Sequence, residues 1–235
     1  MFRTLLFLCL VNYTPALTTT AFAAKWTAFN HVVMSNTASV EISNVYSGKR
    51  CLFLCLQNEA CVSFFYRRQH RRCQFHDVLF MSPEDGEHEN GTVYYSLTTG
   101  VCPFGYVHNR LLNICYQLHL DDIYYNDGLA DCASRGEHLL VIDSADKQNH
   151  IVKQITSSSA STVKSYFIDG SDAANEGQWV FHDGRPMTYF AWKPGFPTNT
   201  TDDRDYIAAN KGGKAYLWQD RKGSESKFYI CEKDL

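Results

Sequence analysis

The sequence predicts an α+β fold divided into two small disulfide-bonded modules, and three observations lead there. Eight of the nine cysteines remain once an N-terminal leader is set aside, an even number suited to pairing in an oxidising compartment. The chain has 235 residues, 45% hydrophobic and 14% aromatic, which is enough apolar mass for packed cores. Without the leader, that length suits two small domains better than one large one. In the first half, a helical segment is followed by two short apolar runs separated by a polar turn, the order of a helix packed on a hairpin.

Residues 1–23 read as a secretory signal. Arg3 supplies the charge, Leu5 to Val11 the apolar core, and Ala21, Phe22 and Ala23 an A-x-A cleavage site. The core is too short to span a bilayer, and no later run approaches the roughly 20 apolar residues of a membrane helix. A secreted, extracellular protein without membrane insertion is expected. The closing residues Glu232, Lys233, Asp234 and Leu235 are not in the K-D-E-L order that signals retention. A net charge of -3 gives no global attraction to nucleic acid or anionic membrane.

The first module is placed at residues 24–97. Tyr46 to Asn58 reads as a helix with Cys51 and Cys55 one turn apart on one face. A strand follows through Cys61 to Tyr66, then the polar turn Arg67 to Arg72, then a strand from Cys73 through Phe75. Met81 to Asn90 is a polar loop, and Val93 to Tyr95 a closing strand. The cysteines run C-x3-C-x5-C-x11-C with no paired C-x2-C knuckles, which argues against zinc. Spacing alone leaves three disulfide connectivities open. The C-x3-C helix, the cysteine before S-F-x-Y and the cysteine before Q-F resemble the PAN/apple family. That resemblance implies the pairs Cys51–Cys73 and Cys55–Cys61. Apple domains carry a further bridge joining their ends, for which this segment has no cysteines.

Residues 98–101 form a linker, and 102–235 the second module. Cys102-Pro103, Gly105-Tyr106 and Cys115-Tyr116 resemble the N-terminal hairpin of long-form C-type lectin domains. Asp127 to Gly136 resembles the first helix of that family, Leu139 to Asp143 a strand, and Ser144 to Asn149 a second helix capped by Ser144 or Asp143. Tyr166 to Gly170 stands at the core strand. Gly177-Gln178-Trp179, Asp183-Gly184, Trp192, Gly195 and Pro197 keep the loop frame, and Trp218-Gln219-Asp220 and Tyr229 to Glu232 close the domain. The resemblance implies two helices with antiparallel sheets, and the pairs Cys102–Cys115 and Cys132–Cys231. The latter closes a loop of about 100 residues, a contribution of up to ~4.7 kcal/mol. A further bridge of the family is absent, with Tyr206 and roughly Gly223 in place of its two cysteines.

The run Trp192 to Pro197 resembles the W-x-x-G-x-P loop in which that family holds calcium and sugar. Carried over by position, the calcium ligands become Phe196, Thr198, Arg204, Gln219 and Asp220. Calcium takes six to eight oxygens, several of them carboxylate, and only Asp220 is one. Arg204 adds a cation. No cofactor is therefore expected at this primary position, while Asp202, Asp203 and Asp205 form an acidic cluster that is either solvated loop or an auxiliary calcium position. Asn90 and Asn199 open glycosylation sequons, Asn199 beside the loop itself.

Arg67, Arg68, Arg71 and Arg72 place four guanidinium groups on the hairpin turn, suited to sulfate or carboxylate on acidic glycans, or simply to a soluble turn. No G-x-S-x-G, H-E-x-x-H or unpaired cysteine supports catalysis, and the pair His182-Asp183 runs into a D-G turn. The expectation is a non-catalytic recognition protein for an extracellular glycan or protein ligand, calcium-independent. Two alternatives stand beside it: a calcium-dependent lectin with an altered site, and a structural component of an extracellular coat or matrix.

Overall fold

The computed structural model describes residues 7–13, 17–34, 39–157, 165–198, 203–211 and 215–235. Arg3, Asn199 and Asp202, singled out above, lie outside the described residues. The chain divides into two compact units at Cys115 and Tyr116.

In the first unit, β1 (Phe7–Tyr13) and β2 (Leu17–Trp26) form an antiparallel hairpin. The remaining elements are β3 (Val32–Val33), β4 (Val40–Ile42), α1 (Gly48–Leu56), β5 (Ser63–Arg67), β6 (Arg72–His76), β7 (Glu87–His88), β8 (Thr92–Thr99) and β9 (Val107–Asn109). The main sheet has the order β1-β2-β8-β5-β6-β4, with β3 and β7 paired separately. Part of the leader-like segment thus lies in the sheet of the full chain, with Ala21 to Trp26 opposite Thr99 to Tyr94.

α1 starts where Ser47 Oγ accepts the Arg50 N–H at 3.2 Å, satisfying a free donor of the first turn. Its inner face buries Cys51, Leu52 and Cys55. Disulfides Cys51–Cys73 and Cys55–Cys61, the pairs the resemblance implies, bolt that face to the sheet. Alternation along β5 then divides the aromatic residues: Phe64 and Tyr66 pack with the helix, and Phe65 points to the other face. There Phe65 meets Phe29, Phe80 and Tyr94, and the Tyr94 hydroxyl accepts the Phe80 N–H at 2.8 Å. Arg110 completes the unit by donating to the carbonyls of Leu56 at 2.7 Å, Cys55 at 2.9 Å and Asn58 at 2.6 Å. A cation at a helix C-terminus satisfies orphan carbonyls and opposes the negative end of the helix dipole.

The second unit contains most of β10 (Ile114–Ile123), then α2 (Tyr125–Ser134), β11 (His138–Leu139), α3 (Ala145–Ser157), β12 (Tyr166–Ser171), β13 (Tyr206–Ala209), β14 (Trp218–Arg221) and β15 (Lys227–Lys233). The sheet runs β14-β13-β12-β15-β10, with β11 added beside β15. β12 and β15 are parallel, whereas β12–β13, β13–β14 and β11–β15 are antiparallel. Together with α1, α2 and α3 make the chain α+β. Disulfide Cys132–Cys231 ties α2 to β15, and Cys102–Cys115 closes the hairpin that precedes it.

Several boundaries differ from the sequence expectation: α1 is shorter than Tyr46 to Asn58, β8 runs to Thr99 into the expected linker, and Arg67 and Arg72 of the expected turn lie in strands. α2 begins at Tyr125, two residues before Asp127, and Tyr125 is buried on the core. The strand expected over 139–143 ends at Leu139, because Val141 N–H donates to the Glu232 side chain at 2.9 Å instead of to a ladder carbonyl. Ser144 Oγ accepts Lys147 N–H at 3.3 Å, as a cap of α3 does.

Tyr206 and Gly223, the positions without a bridge, stand against each other. A Cβ on Gly223 would lie 2.8 Å from Tyr206 Cε2. The Tyr206 ring in turn stacks on Tyr125, centroids 3.9 Å apart, so aromatic packing fills this corner. Gly223→Ala should therefore lower the stability of the chain by about 1–3 kcal/mol through overpacking. Urea denaturation measures this, and an unchanged midpoint would show that the Tyr206 ring gives way freely.

Candidate functional site

The loop from Trp192 is positioned by the most deeply packed tryptophan of its neighbourhood. Trp218, on β14, is fully buried and donates its indole N–H to Gln148 Oε1 at 2.9 Å. Gln148, on α3, also donates to the Tyr216 carbonyl at 3.3 Å, so the polar edge of the indole is satisfied inside the core. Trp218 N–H donates to Ala191 O at 2.8 Å, and its carbonyl accepts Lys193 N–H at 2.9 Å. Trp192 is thereby held edge-on against both Trp218 and Trp179, with centroids 5.9 and 5.0 Å apart. Its outer neighbour is Phe190, stacked at 5.8 Å with a 13° interplanar angle and exposed to solvent.

Past Trp192 the chain turns through Pro194 and Gly195, which has φ +86°, a conformation costly for any residue with a Cβ. Phe196 N–H donates to Lys193 O at 2.9 Å, and the Lys193 ammonium stands 5.9 Å from the centroid of the Phe196 ring. The Phe196–Pro197 peptide is cis.

β13 and β14 bring Gln219 and Asp220 under this loop, in register Ala208↔Gln219 and Ile207↔Asp220. Asp220 is only 2% exposed. Its Oδ2 accepts from the Thr198 backbone N–H at 3.1 Å and also from the Thr198 hydroxyl. Gln219 Oε1 accepts from Arg221, and Asp203 pairs with Lys222 at 2.5 Å. Asp220 Oδ1 is buried with no hydrogen-bond partner among the described residues, while Asp220 Oδ2, Gln219 Oε1 and Asp203 Oδ1 meet donors and cations of the protein itself. The set Phe196, Thr198, Arg204, Gln219 and Asp220 offers one carboxylate, already holding the loop, and does not fit calcium.

Asp205 lies at the other edge of the region. Its carbonyl accepts Asp172 N–H at 3.2 Å. Burial pushes the Asp172 carboxyl above the usual range, a bond from Gly177 N–H opposes this, and the charges of Glu176 and Asp205 push it further. Asp172 and Glu176 were not among the residues singled out by sequence. The signal was the D-x3-E spacing directly before Gly177, Gln178 and Trp179.

The arginine hairpin is also largely matched. Arg67 makes a bidentate pair with Glu89 at 2.8 and 2.5 Å and reaches Glu41 at 3.5 Å, and Arg72 pairs with Glu41 at 2.9 Å. Arg71 sits 4.9 Å over the Tyr46 ring, and Arg68 and Arg71 face solvent. Asn90 is exposed beside this turn, where Gly91 O accepts Arg68 N–H at 3.4 Å. Thr92 of the same sequon is buried, with its hydroxyl donated to Glu89 at 2.8 Å.

Residues 122–233 match the profile of the lectin C-type domain, and residues 25–99 that of the PAN domain. The chain is 28% identical over 132 residues to human C-type lectin domain family 17, member A, covering 56% of this chain and 32% of that protein. It is 27% identical over 137 residues to galactose-specific lectin nattectin of Thalassophryne nattereri, covering 58% of this chain and 83% of nattectin. Human lithostathine superposes with a TM-score of 0.52 at 17% identity, covering 57% of this chain and 91% of lithostathine, a likeness of fold.

Thr198→Val removes one of the two donors to a buried carboxylate, and should cost about 1–3 kcal/mol in thermal or urea unfolding. Glu89 gives a pH dependence. Burial raises its carboxyl, but the bonds from Arg67 and Thr92 outweigh that and leave it below the ordinary 4.5. A depressed carboxyl contributes stability above its unfolded value that is lost as pH falls through the folded value. Glu89→Gln should therefore flatten the acid limb of the stability–pH curve below about pH 4.5, read by urea midpoints across pH.

Proposed function

The chain carries a PAN domain at residues 25–99 followed by a C-type lectin domain at residues 122–233, and on that premise we propose that it is a secreted, non-catalytic recognition protein that binds a glycan or protein ligand without calcium. The observation that carries this reading is the state of Asp220. Its Oδ2 is used by Thr198 to fasten the loop, so the loop holds its shape through its own hydrogen bonds. The leader-like N-terminus and the four disulfides support secretion.

The contact face on this reading is the loop surface of Phe190, Trp192, Lys193 and Phe196. Phe190 and Trp192 present a stacked pair of rings, and Lys193 adds a donor beside them. Sugars and protein side chains both use aromatic faces with an adjacent hydrogen-bond donor, since the ring supplies area at little entropic cost. Arg68 and Arg71 favour a second contact of the acidic-glycan class on the first unit, because Arg67 and Arg72 are already paired with carboxylates. A glycan on Asn90 would stand next to that turn.

A glycan array probed with the secreted chain, with and without chelator, tests the proposal. Binding is expected to survive chelation, and Phe190→Ala to weaken it about tenfold, near 1.4 kcal/mol. Binding that vanishes on chelation and returns with calcium would overturn it in favour of an altered metal site built on Asp172, Glu176 and Asp205.

A further inference from the structure

A second cluster of chemistry-bearing side chains lies within the second unit, away from the Trp192 loop. His138 on β11, Asp169 on β12 and His182 in the turn after Phe181 each offer a ligand atom, all within 4.8 Å of one another. Three separate segments bring them together. His138 stands opposite Glu232 on β15, and Asp169 N–H donates to Leu140 O at 2.9 Å. The Asp169 carboxylate, 2% exposed, receives the His182 backbone N–H on both oxygens at 3.1 Å. The two imidazoles lie face to face, with centroids 4.2 Å apart and planes 17° from parallel.

The partners of the ring nitrogens assign the tautomers. His138 Nδ1 is 2.7 Å from the Leu139 carbonyl, and His182 Nδ1 is 2.6 Å from Asp169 Oδ2. Carbonyls and carboxylates only accept, so each Nδ1 carries its hydrogen and, in the neutral ring, each Nε2 presents a lone pair. Metal-binding histidines are prepared in this way, with one nitrogen donating to an oxygen that fixes the ring and the other facing the ion. His138 Nε2 lies 3.3 Å from Asp234 Oδ1: in the imidazolium it donates there, and in the neutral ring the lone pair and the carboxylate face one position that a proton or a metal cation fills. The nearby cations are engaged elsewhere: Lys147 with Asp143 at 3.1 Å and Arg185 with Asp183 at 2.6 Å.

We propose that His138 and His182 bind a transition-metal ion of the zinc class through their Nε2 atoms, with Asp234 supplying an oxygen ligand. Asp169 is the positioning residue, holding His182 by Nδ1. Two imidazoles and a carboxylate suit zinc, whereas calcium and magnesium want oxygen alone. Binding turns the rings out of their stack until both nitrogens reach the ion at about 2.0–2.1 Å. Asp169 keeps hold of His182 Nδ1 as the rings turn, the solvent-exposed Asp234 side chain closes on the ion, and water completes the coordination. Nothing in the loop around Asp220 takes part.

The test is thermal unfolding of the tag-free secreted chain with zinc, calcium or no added metal. Zinc at low micromolar concentration is expected to raise Tm, and calcium at the same concentration to leave this site unmoved. The double variant His138→Gln/His182→Gln should lose the zinc-dependent rise, and Asp169→Asn should weaken zinc affinity about 10- to 100-fold. Each variant's metal-free Tm is its own baseline for the zinc-dependent rise, which separates loss of a ligand from loss of the fold, because His182→Gln also removes a donor to the buried Asp169 carboxylate. Cobalt should give a visible absorption band in the parent chain that zinc displaces and the double variant lacks. The proposal is overturned if zinc produces no rise in the parent chain, or if the rise persists undiminished in the double variant.

Discussion

The position of the closing strand β15 is the constraint on which the second unit depends. It runs parallel to β12, lies next to β10 and accepts β11 along its length, and Cys231 ties it to α2 across a sequence separation of 99 residues. Those pairings join segments that have no local reason to meet, so the entropy of closing long loops has to be offset by burial and by the disulfide. Phe167, Tyr229, Cys231 and Leu139 supply that burial in one cluster. With β12 and β15 fixed, β13 and β14 extend the sheet and carry Asp220 beneath the Trp192 loop.

The upper region of this unit is held together by contacts within the chain. A bound divalent ion draws several oxygens together; here the same neighbourhood is drawn together by hydrogen bonds and ion pairs within the chain. Thr198 fastens the loop to Asp220, Lys222 answers Asp203, and Arg221 answers Gln219. The lost bridge is handled likewise, since the Tyr206 ring occupies the corner between Tyr125 and Gly223. These contacts rest on a sheet whose strand order is already determined. The surface above them is aromatic and basic around Phe190 and Lys193. Shape alone does not name a ligand, and the recognition reading rests on these side chains.

The first unit illustrates how a charged turn is absorbed by its surroundings. Four arginines in six positions read as a strong binding feature, yet Arg67 and Arg72 lie on β5 and β6, where Glu89 and Glu41 come alongside. Those glutamates are 17 or more residues away from the turn in sequence, so no local pattern announces them. Arg110 is similar: nothing in its neighbourhood marks it as the group that closes the carbonyl end of α1. What looks like free charge in a sequence is often the partner of a distant group, as long as the desolvation of both is shared.

The sequence by itself carried the helix-then-hairpin order of the first unit in its alternation and turn residues, while the disulfide pairs and the frame of the second unit were legible only through the resemblance to the PAN/apple and C-type lectin families, since spacing alone left the pairings open. At the calcium-ligand positions that the resemblance implies, the sequence has Phe196, Thr198, Arg204, Gln219 and Asp220, and a residue's identity is written at its own position. Tertiary structure alone decided which side chains meet. Thr198 meets Asp220 only through the pairing of β13 with β14, and His138, Asp169 and His182 meet only through the packing of β11, β12 and the turn beyond Phe181. The pair His182-Asp183 read as a simple turn, and Asp183 does serve Arg185 there, while His182 faces Asp169 instead. The physical reason is the same in each case: side-chain chemistry is local, but the distance between two side chains belongs to the fold.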